Sequence, residues 1–498
     1  MELITHLLEG FGHIAGIAPF LAIVVGVIAG IFVGAMPGLS PSMGVAILLP
    51  FTFKMPPLIG LVLLTAVYLA SNYGGSITAV TINTPGTPSA VATAFDGYPL
   101  TLQGKAGWGL GVSLVASTVG GMVGIIILIL FSQPLAAVAV KMHPAEYFTL
   151  ALFGLSTVAS LGGKDWAKAF TSALLGLLIN TIGIDPISGV KRYTFGETNL
   201  FDGFDFIPAL IGLFALSEVF SKIEEGSWKT HLSGEISKKE QWPTFKDYWK
   251  LKWATLQASL VGTLIGIFPG AGSAIASFVA YDLGKRTSKH PETFGKGNPE
   301  GVAASEAANS ASVGGAMVPL LTLGIPGSAS TAVLIGALMI HDLSPGPLLF
   351  TERPDLVYGL FASMFVANAV MFFLGLWGSR LWIKVTRVPL NVLIPMIISI
   401  ASVGSFAVKN SLFDVGACFG FGVVGWVLKR YGYPMAPIVL GMVLGKLMEV
   451  NFRRAVIMGG YGVFFLRPAS LILLLISIAA FAYPLIQMKK ESRTIGNP

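Results

Sequence analysis

A single cysteine, Cys418, lies in the apolar run GACFGFG, so no disulfide can form within the chain. Charge is nearly as scarce: Asp, Glu, Lys and Arg make up 11% of the sequence. A soluble domain carries roughly a quarter, so a water-soluble fold is excluded. Segments of alternating polarity, the pattern of a membrane β-barrel, are missing. The first residues, MELITHLLEGFGHI, lack the basic region of a cleaved signal peptide. There is no G-x-x-x-x-G-K-[ST] for nucleotide, no H-E-x-x-H for zinc and no G-x-S-x-G elbow. The six histidines sit near termini or loops, which leaves no Ser–His pair for an intramembrane hydrolase. The chain is not expected to be an enzyme, to need a cofactor or to consume ATP.

What is abundant is apolar sequence, at 54% of residues. Met55 to Phe95, Ala106 to Val140, Ala307 to Ile340 and Val388 to Val408 contain no charged side chain. Each is long enough to cross a bilayer as a helix, which takes about 20 residues. The expected fold is an all-α polytopic membrane protein of about 12 membrane segments. The net charge of +7 does not point to nucleic acid, because the basic residues flank apolar spans as the positive-inside rule requires. Leu3, Ile4, Leu7, Leu8 and Phe11 recur at helical spacing and predict a short interfacial helix before the first span.

The lysine-rich stretch 221–252 divides the chain. The expected organisation is a first membrane repeat over 1–222, a cytoplasmic linker over 223–252, a second repeat over 253–488 and a cytoplasmic tail over 489–498. The two halves echo each other. GAMPGLSPSMG (34–44) and NYGGSITAVTINTPGTPSAV (72–91) match GIFPGAGSAIAS (266–277) and SVGGAMVPLLTLGIPGSASTAV (312–333). Five spans between the first copy and the divider would invert the second copy, the arrangement of secondary transporters with interrupted helices.

Four Pro-Gly breaks in apolar sequence leave backbone groups unpaired, which hydrocarbon does not tolerate. They predict Pro-Gly-interrupted or re-entrant helices lining a shared polar site. The candidate substrate-binding residues are Pro37, Gly38 and Ser40; Thr84, Pro85, Gly86 and Thr87; Pro269, Gly270, Gly272 and Ser273; and Pro326, Gly327 and Ser328. Free N–H groups and hydroxyls at a half-helix start suit a carboxylate, while opposing carbonyls suit Na⁺. The same hydroxyls could instead cap their own helices. Glu306 precedes a charge-free run and is read as a cation ligand or proton carrier, or else as an interfacial residue pairing with Lys296. Asn309, Asn72 and Asn83 are the accompanying polar liners. Asp96 is read as a hairpin-end residue, and Lys446 with Glu449 as an ion pair.

At these residues the sequence resembles the large membrane subunit of the tripartite tricarboxylate transporters. The matching blocks include GAMPGLSPSMGVAILLPFTF, SITAVTINTPGTPSAVATAFDGYPL, GIFPGAGSAIASFVAYDLGKR and NPEGVAASEAANSASVGGAMVPLLTLGIPGSASTAV. The family often has paired asparagines where this chain has Asn309-Ser310. The resemblance implies a bacterial inner-membrane subunit that works with a small four-helix membrane partner and a periplasmic solute-binding protein. It implies import of di- or tricarboxylates coupled to Na⁺ or H⁺. A channel with re-entrant filter loops is the competing reading of the broken helices.

Overall fold

The computed structural model describes residues 2–36, 39–160, 165–226, 242–385 and 390–495. Apart from one two-stranded hairpin, the regular structure of these residues is helical. The first half contains α1 (Glu2–Ile14), α2 (Ile17–Gly34), α3 (Pro41–Leu48), α4 (Pro57–Ile82), α5 (Val91–Leu102), α6 (Ala106–Ala139), α7 (Pro144–Ser160) and α8 (Trp166–Asn180). The hairpin of β1 (Gly183–Ile184) and β2 (Lys191–Arg192) follows, then α9 (Phe206–Leu210) and α10 (Ser217–Glu225), joined by a π-helical stretch. The second half contains α11 (Phe245–Ile267), α12 (Gly272–Thr287), α13 (Pro299–Leu323), α14 (Ala329–Ile340), the short α15 (Leu349–Glu352), α16 (Pro354–Val385), α17 (Leu390–Lys409), α18 (Leu412–Arg430) and α19 (Met435–Gly459). The short α20 (Val463–Leu466) and α21 (Pro468–Ile495) end it.

Among the described residues, eight helices are long and apolar enough to cross a membrane. Neither α11 nor α13 is among them, for different reasons. α11 begins in a run of lysines and aromatics, Phe245 to Trp253. α13 is buried without interruption from Gly301 to Thr322, so it meets protein on every side and can carry polar groups. The stretch 253–284 divides at Phe268–Ala271, where α11 ends and α12 begins. Helix enters the expected linker from both ends, reaching Glu225 and beginning again at Phe245; residues 227–241, with lysines 229, 238 and 239, lie outside the described residues.

Glycine stripes bring the central helices into backbone contact. A methyl group on Gly26, Gly30 or Gly34 of α2 would lie 2.6, 2.6 or 2.1 Å from a carbonyl oxygen of α4. In the second half Gly262 and Gly266 of α11 meet the α13 carbonyls of Ala308 and Ser312 in the same way. Gly120 and Gly124 of α6 do so at Ala307 and Ala311. Small residues spaced by four are what allow such approach in a membrane, where no hydrophobic drive holds helices together. The pairings correspond between halves: α2 with α4 and α11 with α13, α6 with α13 and α16 with α4, α8 with α19 and α18 with the α9–α10 segment. The halves therefore interdigitate. α1 also docks across, with Gly10 against the Tyr358 carbonyl of α16 and His6 stacked on the Tyr358 ring at 5.1 Å.

Ion pairs hold the outer loops. Glu449 pairs with Arg192 at 2.6 Å and Arg453 at 3.1 Å, which corrects its expected pairing with Lys446. The hairpin turns on Asp185, whose carboxylate accepts from the Ile187 and Ser188 backbone and meets Arg453 at 2.8 Å. Those backbone donors, followed by Arg453, hold its carboxyl well below the usual carboxylate range.

Candidate functional site

Of the four Pro-Gly breaks, Pro37 and Gly38 lie outside the described residues, but the helix that follows them is defined. The chain after each break reaches one cavity of about 270 Å³. Ser40, Pro41 and Ser42 come from the start of α3, and Pro88 and Ser89 from the 3₁₀ turn ahead of α5. Gly270, Gly272, Ser273 and Ala274 come from the start of α12, and Ser328, Ala329 and Ser330 from the start of α14. Residues of four segments far apart in sequence thus meet at one place.

Each contributes a helix N-terminus, where N–H groups lack intrahelical partners. Ser40 caps α3, accepting from Met43 N at 3.2 Å, and bonds the Ser42 hydroxyl at 3.0 Å. Ser328 caps α14 reciprocally with Thr331 and also bonds the Tyr68 hydroxyl at 3.0 Å. No side chain caps α12. Gly270 there has φ +82° and donates its N–H to the Gly327 carbonyl at 3.1 Å, so one tip is tied to another. Positive φ is the reason this position is glycine.

Other candidates lie behind the cavity wall. Gly86 fits between Gly34 and Gly75, where a methyl group would sit 1.9 Å from the Gly34 carbonyl. Gly327 fits against Ala316, at 2.6 Å from its Cα. Both glycines serve close packing of a tip on the helix before it. Thr87 bonds Ser89 at 3.0 Å and presses on Gly75, and Thr84 bonds the Ile82 carbonyl. Pro85, Pro269 and Pro326 do not line the cavity either. Asn83 is the left-handed C-cap that ends α4, at φ 53°.

Three contributions had not been expected, one of them Ala169 of α8. Tyr68, in the middle of α4, is the one large polar side chain on the wall. Pro434, Ala436, Pro437 and Leu440 show that α19 also begins at the cavity, and no side chain caps it. The signal was present as the break YGYPMAP, but it falls where an ordinary interhelical loop is expected. Lys, Arg and His are absent from the described lining.

Glu306 is fully buried in α13 and does not reach Lys296. Thr93 of α5 donates to Oε1 at 2.5 Å and Ser117 of α6 to Oε2 at 2.9 Å. Ser305 bonds Thr93 at 3.0 Å. Among the described residues no basic side chain pairs with Glu306, and an unpaired charge this deeply buried is costly. Asn309 lies one turn further on and donates to the Asn72 carbonyl at 3.1 Å; Asn72 donates to the Tyr68 carbonyl at 2.9 Å. The amide oxygens of both asparagines and the Ser310 hydroxyl are buried without partners. Both bonds end on main-chain carbonyls of α4, the helix that also carries Tyr68 to the cavity.

Asp96 is not a hairpin-end residue at the interface. It is fully buried, and its Oδ1 accepts from the N–H groups of Gly295, Gly297 and Asn298 at 2.8, 2.9 and 2.7 Å. Tyr281 donates to Oδ2 at 2.8 Å. The residue fastens the loop before α13 to α5 and α12, which fixes the start of the helix that carries Glu306. Asp96→Ala leaves three backbone donors unpaired and should lower stability by about 3 kcal/mol. Thermal unfolding of the purified protein in detergent checks this, with Asp96→Asn losing less because one acceptor remains.

Long apolar helices, and interrupted ones whose ends meet at one cavity, define a multi-pass membrane protein of the transport type. The chain belongs to the tripartite tricarboxylate transporter TctA family, whose family model matches residues 20–440. This is a transporter family, and its name places the chain in a system with other subunits. The chain is 36% identical to an uncharacterized 52.8 kDa protein in the TAR-I ttuC' 3' region of Agrobacterium vitis, over 99% of this chain and 98% of that one. It is also 40% identical to an uncharacterized protein in the TAR-II ttuC' 3' region of the same organism, over 46% of this chain and 97% of that one. No solved structure matches the chain.

Proposed function

We propose that the protein is the large transmembrane subunit of a binding-protein-dependent secondary transporter in the bacterial inner membrane. It imports di- or tricarboxylates against their gradient, driven by Na⁺ or H⁺. A small four-helix membrane subunit and a periplasmic solute-binding protein complete the system, as the family implies. The observation that carries this reading is the convergence of the four broken segments on one cavity. Interrupted helices that meet around a shared site are the device by which secondary transporters hold substrate.

The coupling site in this reading is Glu306 with Asn309 and Asn72. A carboxylate, hydroxyls and unpartnered amide oxygens form an oxygen set suited to a hard cation, and the carboxylate alone suffices for a proton. α4, which accepts from Asn309 of α13 and carries Tyr68 at the cavity, gives cation and substrate a shared element, which coupling requires. The corresponding helix pairings support two repeats, 1–222 and 253–488, which we place in opposite orientation as in other transporters with interrupted helices.

Reconstitution of all three components in proteoliposomes tests the proposal with radiolabelled citrate and succinate. Accumulation above equilibrium that requires the binding protein and an imposed Na⁺ or pH gradient is the expected result. Non-saturating, purely downhill flux would sink it in favour of a channel.

A further inference from the structure

We infer that a second cavity, further along α19, is the outer mouth of the substrate path, and that one apolar layer on α19 closes it from the tip cavity. The inference rests on the transport reading above and adds to it a second opening, a barrier and a side chain that meets substrate before the barrier. The second cavity has a volume of about 250 Å³. It lies where α8 and α19 face residues 202–206, Met339 at the end of α14 and Lys409 at the end of α17. The tip cavity also has α8 and α19 on one side, with the start of α14 opposite. α7 packs on α8, α19 and α21, and α19 meets the rest of the molecule mainly along α14. The two cavities are thus the two ends of one seam.

Pro437, Leu440, Val443 and Lys446 follow at three-residue spacing along one side of α19. The first two line the tip cavity and the last two line the second. Leu440 and Val443 are about 4.5 Å apart along the helix axis, so one layer separates the cavities on this helix. Leu440 is buried there in one cluster with Ile325 and Leu444. The backbone of α19 is held against α8, since a methyl group on Gly441 or Gly176 would lie 2.3 or 2.0 Å from a carbonyl oxygen of the other helix. Opening the layer therefore moves α8 and α19 together past α14. Lys446 is the charged side chain nearest the layer. Glu449 is taken up by Arg192 and Arg453, and Asp205 by Lys409 at 3.3 Å. Among the described residues Lys446 has no carboxylate partner, and Asp202 is exposed. The sidedness follows from two spans, Phe206–Glu225 and Leu412–Arg430. Both begin beside the second cavity, next to Asp205 and Lys409, and their far ends meet where Arg430 pairs with Glu224 at 3.1 Å. The lysine-rich linker follows that far end, and the positive-inside rule puts it in the cytoplasm, so the second cavity faces outward.

Cysteine labelling in membrane vesicles that hold the whole system tests this. Cys418 is fully buried, and wild-type protein treated with the reagents should keep its uptake. Lys446→Cys should react with a membrane-impermeant methanethiosulfonate in right-side-out vesicles and not in inverted ones. Before labelling, its kcat/KM for uptake of radiolabelled succinate should fall about tenfold, the factor carried by a hydrogen bond to a charged group. The aminoethyl adduct, which puts back an ammonium, should restore most of that uptake. The sulfonatoethyl adduct, similar in size and negative, should reduce it to that of vesicles without the protein. A lysine with a purely structural role would not give rescue that follows charge. Met339→Cys, at a side chain that is 50% exposed, repeats the sidedness test should Lys446→Cys fail to insert. Labelling from the linker side alone would overturn the inference. Equal uptake by both adducts, in vesicles whose wild type accumulates substrate, would remove this mouth and leave the transport reading standing. Outside labelling with charge-dependent flux that never rises above equilibrium would keep the mouth and remove the secondary transporter.

Discussion

Replacing Ala274 with phenylalanine should reduce carboxylate uptake to that of protein-free liposomes while the protein still inserts and melts as a folded species. Ala274 lies in the first turn of α12 and lines the tip cavity. The ring would occupy the space in front of the uncapped N–H groups, where the proposed ligand sits. Filling the site from this position is cleaner than from its neighbours. Gly270 and Gly272 have φ values of +82° and +64°, so any side chain there strains the backbone before it blocks anything. Gly270 also donates to the Gly327 carbonyl, and displacing it would loosen two tips at once. Ala274→Ser, which adds one small hydroxyl to the same wall, should keep most of the uptake. Radiolabelled uptake, read beside gel filtration and thermal unfolding in detergent, separates blockage from misfolding. Near-normal uptake by a folded Ala274→Phe protein would show that substrate does not pass through this cavity.

Much of this site was legible because the penalty for irregular backbone in a membrane is severe. Pro-Gly followed by hydroxyls in an apolar run has few explanations, and residues after each break do line the cavity. The roles of the glycines were not legible. Gly86 and Gly270 have the same sequence context, yet one packs against Gly34 and Gly75 and the other stands at the cavity. A glycine next to a ligand and a glycine next to another backbone look alike until the neighbour is known. Tyr68 was hidden because an aromatic residue in an apolar helix is usually core. The start of α19 was hidden because Pro434 sits at a span boundary, where proline needs no explanation. Asp96 misled for the opposite reason. Its position after a break suggested solvent, but its partners come from a loop about 200 residues later, a contact that local pattern does not contain.

Glu306→Gln should abolish accumulation against a gradient and still permit exchange of labelled for unlabelled substrate. Glutamine has nearly the same shape, and its amide oxygen can accept from Thr93 or Ser117 as one carboxylate oxygen does now. Folding is therefore expected to survive. What is lost is the negative charge that, in the proposed coupling, a proton or cation neutralises in a buried site with no basic partner among the described residues. With no charge to neutralise, the protein can change conformation without the ion, so substrate equilibrates and no longer accumulates. Substrate affinity should change less than coupling, since Glu306 is not among the residues that line the cavity. The comparison is made in one set of proteoliposomes by imposing a Na⁺ gradient, then a pH gradient, then neither. Wild-type protein should respond to at least one gradient and Glu306→Gln to none. A normally expressed Glu306→Gln protein with unchanged Na⁺ and pH profiles would remove Glu306 from the coupling step. The buried carboxylate would then be a structural partner of Thr93 and Ser117, and the ion would have to bind nearer the tips, where helix carbonyl ends and the free oxygens of Asn72 and Asn309 are the remaining ligands.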